Sequence, residues 1–89
     1  MTQNEFESLP RIDLTTFFLS ISSAAFMGLG VGRSDAGAPD FLLAKQNIDL
    51  LELLAEKTVG NRTPDENQLL EKLLYETRMK YVEVRGKSP

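Results

Sequence analysis

The chain carries one long run without a charged side chain, LTTFFLSISSAAFMGLGVG, from Leu14 to Gly32, and eleven of its nineteen residues are apolar. Asp13 stands in front of it, and its carboxylate can accept from the free N–H groups of a first helical turn. Gly28, Gly30 and Gly32 raise the backbone entropy cost at the far end. The pattern predicts a first helix from about Asp13 to Gly28. A strand over TTFFLSIS is the competing reading, since β-branched and aromatic residues are frequent there. The SAAFMGLG that follows is not strand-like, and the length favours helix. At 3.6 residues per turn Phe18, Ile21, Ala25 and Leu29 share one face, Phe17, Ala24 and Gly28 lie beside it, and Leu19 and Phe26 point elsewhere. Such a helix is apolar nearly all round, which is the signature of a buried or lipid-facing element.

A second helix is read in DFLLAKQNIDLLELLAEKTV. Phe41, Ala44, Ile48, Leu51 and Ala55 recur at three- and four-residue steps, and Leu43, Leu50 and Leu54 widen the stripe. Lys45, Asp49, Glu52 and Glu56 fall on the other side. Pro39 suits the first turn, and Gly60 and Asn61 suit a left-handed stop. The third helix opens on TPDE, with Thr63 as cap, Pro64 in the first helical position and Glu66 reaching back to complete a capping box. Its inner face is Leu70, Leu73, Leu74, Thr77 and Tyr81, with Leu69 and Val84 at the edges. On its outer face, Lys72 with Glu76 and Glu76 with Lys80 have the spacing of helical ion pairs. Only the short GNRT separates the two helices, which predicts an antiparallel hairpin. The VGRSDAGAPD segment reads as a loop. The expected organisation is a disordered tail over 1–11, one all-α domain of three helices over 12–84, and a disordered tail over 85–89.

Composition narrows the function. A chain of 89 residues is one domain at most. It has no His and no Cys, so disulfides and the usual tetrahedral zinc sets are excluded, and the commonest general base and the thiol nucleophile are missing. The expectation is a protein that is not an enzyme, with no catalytic residues, no metal and no cofactor. The net charge is −3, which disfavours nucleic acid as a partner, because that role needs a basic footprint. The absence of cysteine and the acidic, polar start fit a cytoplasmic protein of bacterial type.

Four motifs carry possible chemistry, and each has a plainer explanation. GLGVG lacks the spacing and the strand-to-helix context of a dinucleotide loop and reads as a helix end. Asp49, Glu52 and Glu56 share a helix face that could hold a magnesium-like ion, but Lys45 and Lys57 make it a solvated acidic face. The sequon Asn61-Arg62-Thr63 is explained by a helix stop followed by a helix start. Arg78, Lys80, Arg85 and Lys87 with Tyr75 and Tyr81 are thin for nucleic acid and suit the negative end of a helix dipole. Tyr75 and Arg78 lie one turn apart and off the main apolar stripe, which marks them as a partner-contact patch.

The stretch AKQNIDLLELLAEKTVGNRTPDENQLLEKLLYETRMKYVEV resembles an uncharacterised bacterial family, the domain-of-unknown-function family numbered eighteen forty-four. The elements that carry the likeness are Ala44-Lys45-Gln46, Ile48-Asp49, Glu56-Lys57-Thr58, Gly60-Asn61, Thr63, Glu66, Leu69-Leu70, Leu74-Tyr75, Arg78 and Tyr81-Val82. TTFFLSISSAAFMGLG looks like the family's first helix, so the likeness covers most of residues 12–84. It implies a short helical protein and no activity.

The uncharged run barely reaches the roughly 20 residues of a membrane span. It also holds five hydroxyl residues and three glycines, and Arg11 and Arg33 flank it without giving an orientation. A membrane-associated accessory protein, its first helix touching lipid, is therefore the runner-up. The favoured expectation is a non-enzymatic, homo-oligomeric interaction module. A two-helix hairpin covers about half of a third helix, and contiguous exposed apolar surface marks an interaction site. The first helix would then sit at a shared core, with Phe17, Phe18, Ile21, Ala24, Ala25 and Gly28 as the oligomer interface. The partner would be a second copy of the chain, in a homodimer or a larger closed assembly. An unidentified protein would meet the outer patch.

Overall fold

The computed structural model describes residues 1–32 and 37–87. Residues 33–36 of the expected loop, including the flanking Arg33, and residues 88 and 89 of the expected C-terminal tail lie outside the described residues. The described residues are helical and contain no strand. There are four helices rather than three: α1 (Gln3–Ser8), α2 (Leu14–Gly28), α3 (Phe41–Lys57) and α4 (Pro64–Lys87). The extra helix lies in the segment expected to be an unstructured tail. Its cause is local: the Thr2 hydroxyl accepts from the Glu5 N–H at 3.2 Å while the Glu5 carboxylate accepts from the Thr2 N–H at 3.4 Å. That reciprocal cap satisfies two donors at once. The alternation of charged and apolar residues around it hid the signal.

The remaining helices start where the sequence places caps. Asp13 accepts from the Thr16 N–H at 2.8 Å. Asp40, not Pro39, caps α3 by accepting from the Leu43 N–H at 3.0 Å, which leaves Pro39 outside the helix. Thr63 and Glu66 form the expected reciprocal box, at 3.1 and 2.7 Å. Gly60, at φ 82°, supplies the left-handed residue after α3. α4 continues past the expected end near residue 84 to Lys87.

The core is built on one face of α2. Phe18, Ile21, Leu51, Leu70 and Leu73 form a single buried cluster, with Leu14, Leu54, Ala55, Leu69 and Leu74 packed around it. Ala25 and Ala44 are also buried. Gly28 permits a close approach of α2 to α3: a Cβ there would lie 3.1 Å from the Asp40 carbonyl oxygen and 3.2 Å from the Ala44 nitrogen. At the same point the Asp40 N–H donates to the Gly28 carbonyl at 2.7 Å. Two hydroxyls enter the interior. Thr77 Oγ1 donates to the Leu73 carbonyl at 2.7 Å and Ser22 Oγ to the Leu19 carbonyl at 2.9 Å, so neither is left unsatisfied.

The α3–α4 turn is stapled by Arg62. Its guanidinium donates to the Ala55 carbonyl at 2.7 Å, to Thr58 Oγ1 at 2.8 Å, and to Asn67 Oδ1 at 3.1 and 2.9 Å. It thereby satisfies one of the last orphan carbonyls of α3 and ties it to the first turn of α4. This explains why the sequon residue is an arginine. Further along, Glu52 meets Arg78, and Phe41 at the start of α3 meets Tyr81. The helix α1 stands apart: no Cα of it comes within 8 Å of those of α2, α3 or α4.

Two substitutions separate the inner from the outer face of α2. Phe18→Ala should cost about 3–5 kcal/mol, enough to unfold most of a domain this small. Phe17→Ala, one residue away but 43 % exposed, should cost less than about 1 kcal/mol. Urea unfolding followed by circular dichroism measures both. Comparable losses at the two positions would contradict the packing described.

Candidate functional site

Of the six residues expected at an oligomer interface, Phe18, Ile21, Ala25 and Gly28 are buried inside their own chain. Ala24 is half-buried at the rim, and Phe17 is exposed. α2 is less uniformly apolar in space than it looks in sequence. Thr16, Ser20 and Ser23 share its exposed side with Phe17, Leu19 and Met27, so hydroxyls and apolar side chains alternate there. Of the small residues on α2, Gly28 allows a close approach to α3.

Apolar side chains stay uncovered on α2, α3 and α4, and on α3 they fall in register. Leu43, Leu50 and Leu53 are 40 %, 45 % and 48 % exposed. With Gln46 and Lys57 they repeat as Leu43, Gln46, Leu50, Leu53, Lys57, at alternating steps of three and four. That is the spacing of a seam by which one helix packs along another. The sequence reading placed Leu43 and Leu50 on the inner stripe. The stripe is wider than two neighbouring helices can cover, and its outer half remains in water. Met27 of α2 and Leu43 line one hollow at the start of this seam.

A second outer stripe runs along α4. Tyr75, Met79 and Val82 are all more than half exposed. Arg78 within it has a structural task that the sequence did not reveal. It donates twice to Glu52 Oε1 of α3, at 2.7 and 3.1 Å. Of the expected patch, Tyr75 is therefore presented freely at 66 % exposure, while Arg78 is held against α3.

The charged groups resolve into local pairs. Lys45 donates to Asp49 at 2.8 Å, and this bond raises the lysine above its ordinary pKa. Lys87 and Lys80 both reach Glu83 at 3.2 Å and lower its pKa, the Lys87 hydrogen bond first. Lys80 thus turns to Glu83 rather than to the expected Glu76. Asp49 and Glu52 answer Lys45 and Arg78, and no group of three metal-capable side chains gathers among the described residues. Gly30 and Gly32, at φ 82° and 78°, form the turn that ends α2. No helix of the described residues is long and apolar enough to cross a membrane.

The cap of α2 is itself a titrating group. The N–H of Thr16, then its hydroxyl, hold the Asp13 carboxylate below its ordinary value of 3.8. A carboxylate lowered in the folded state adds stability above its unfolded pKa and loses it as pH falls through the folded one. Acidification from about pH 5 to about pH 3 should therefore lower the melting temperature more in the wild type than in Asp13→Asn, whose amide still caps. Parallel slopes would show that the cap does not contribute in this way.

A family model described as "Domain of unknown function (DUF1844)" matches residues 11–83. No curated protein and no solved structure matches the chain.

Proposed function

The chain belongs to the DUF1844 family of domains of unknown function, and from that premise we propose that it is a non-enzymatic interaction module that pairs with a second copy of itself through the outer face of α2 and α3. The observation that carries the reading is the seam Leu43, Gln46, Leu50, Leu53, Lys57, left exposed on a helix whose opposite side is already in the core. Leaving a leucine in water forgoes about 1.5–3 kcal/mol of burial. Three such residues in register, with Met27 beside Leu43, are a patch of the kind that marks an interface.

Self-pairing suits the seam because Leu50 lies midway between its ends. An antiparallel two-fold pairing through Leu50 sets Leu50 against Leu50 and Leu43 against Lys57, with Leu53 one residue out of register with Gln46 in the layer between. The stem of Lys57 covers Leu43 while its ammonium stays in water. The pairing also aligns the α3 dipoles head to tail. Within one copy, an antiparallel α3–α4 hairpin is supported by the run of contacts from Phe41–Tyr81 through Glu52–Arg78 to Ala55–Arg62. The module is read as cytoplasmic because a chain without cysteine fits a reducing compartment.

Sedimentation equilibrium at micromolar concentration should return twice the chain mass of 10.0 kDa. Leu50→Glu places two like charges on the axis and should reduce the mass to one chain while leaving the helical circular dichroism unchanged. A single-chain mass for the wild type would refute the pairing. A Leu50→Glu protein that keeps the doubled mass would move the interface elsewhere.

A further inference from the structure

We propose that α1 and its tether, residues 3–12, form a strap that closes over the α3 seam of its own chain and competes there with the second copy. The inference rests on the self-pairing reading above and adds its regulation.

In this structure the strap is open, since α1 packs on no other helix of its chain. A helix of six residues has no stability of its own in water, yet this one carries a complete capping box. Phe6, Leu9 and Ile12 follow one another at three-residue steps, and they are 66 %, 50 % and 74 % exposed. Three large apolar side chains in a row are stabilised by lying on another apolar row.

The topology selects that row. Gly28, at the end of α2, lies against Asp40 and Ala44 at the start of α3. Further along, Phe18 and Ile21 share the core cluster with Leu51, so the two helices run antiparallel. The rise from Gly28 back to Leu14 and the rise from Ala44 on to Lys57 are both about 20 Å. The strap is therefore rooted beside the Leu53–Lys57 end of the seam, where Leu14, Leu54 and Ala55 flank the core. Along α3, Leu53 lies about 6 Å and Leu50 about 10 Å from Lys57. Packed helix axes stand about 8–10 Å apart, and the residues from Leu9 to Asp13 span up to about 17 Å. Leu9 and Phe6 thus reach both exposed leucines without any movement of α2.

The covalent tether makes the strap a competitor. A short linker holds it at an effective concentration in the millimolar range, whereas a second copy meets the seam at micromolar concentration. A weakly docked strap therefore opposes a tighter pairing. Closed, it covers Leu50 and Leu53; open, it leaves them to the second copy.

The chain has no cysteine, which permits a direct reading of the closed state. Ser8→Cys marks the strap and Gln46→Cys marks the seam, while Tyr75→Cys marks the exposed outer face of α4. The full chain is oxidised mildly at a concentration too low for pairing. A disulfide between positions 8 and 46 of one chain should then close about tenfold faster than one between positions 8 and 75. Phe6→Ser with Leu9→Ser should abolish that preference. In the cysteine-free chain the same two substitutions should tighten the dimer about tenfold in sedimentation equilibrium, with helical circular dichroism unchanged. Equal closing rates, or a preference for position 75, would overturn the proposal. So would a wild-type dimer that the two substitutions leave no tighter. A preferential 8–46 link in a chain that stays single at every concentration would instead remove the self-pairing reading and leave the strap in place.

Discussion

The inward face of α2 is the constraint that orders this molecule. Phe18, Ile21 and Ala25 project into the space between α3 and α4, and nothing else in so short a chain could fill that space. Gly28 lets α2 lie close enough to α3 for the packing to be tight. A domain of this size buries only about 60 % of its unfolded surface. Its stability therefore depends on a few side chains being fully covered rather than many being partly covered. The caps on α2, α3 and α4 and the Arg62 staple fix where those helices begin and turn, so that this small set of side chains meets.

Covering α2 has a cost elsewhere. α3 must offer its Ala44–Ile48–Leu51 side to α2 and α4, and its leucine content is too high for one side to hold. Leu43, Leu50 and Leu53 are left on the surface. The exposed leucine row is thus a consequence of the fold, formed on the neighbour of the helix that the sequence singles out. The same logic separates Tyr75 from Arg78. Both sit on the outside of α4, but only Tyr75 is presented to solvent without a tie to α3.

Much of this was legible in the residues. TPDE announced the start of α4, Asp13 the start of α2, and the three-four spacing of α3 and α4 gave their buried sides. The helical class followed from those patterns. What the sequence hid has physical reasons. Apolar content around α2 suggested no polar side, because threonine and serine count weakly in a wheel; in space Thr16, Ser20 and Ser23 share the outer side with Phe17, Leu19 and Met27. Burial of Phe18, Ile21, Ala25 and Gly28 within the chain depends on the angle at which α3 and α4 embrace α2, which no local pattern encodes. Glu52 and Arg78 are 26 positions apart, so their pairing appears only once the helices are placed. The helix α1 rests on a single reciprocal cap in a polar segment, a signal easily passed over beside a proline.

The central claim is that the core face of α2 is sheltered by its own chain, and that association adds to a fold already formed. Amide hydrogen exchange of residues 18–25 in the dissociated Leu50→Glu protein addresses it most directly. The account predicts strong protection of these amides in the single chain, close to that of Leu70–Leu73 in α4. Exchange at the rate of an open peptide, with protection returning only in the associated wild type, would mean that a second copy builds the core, and the account would be wrong.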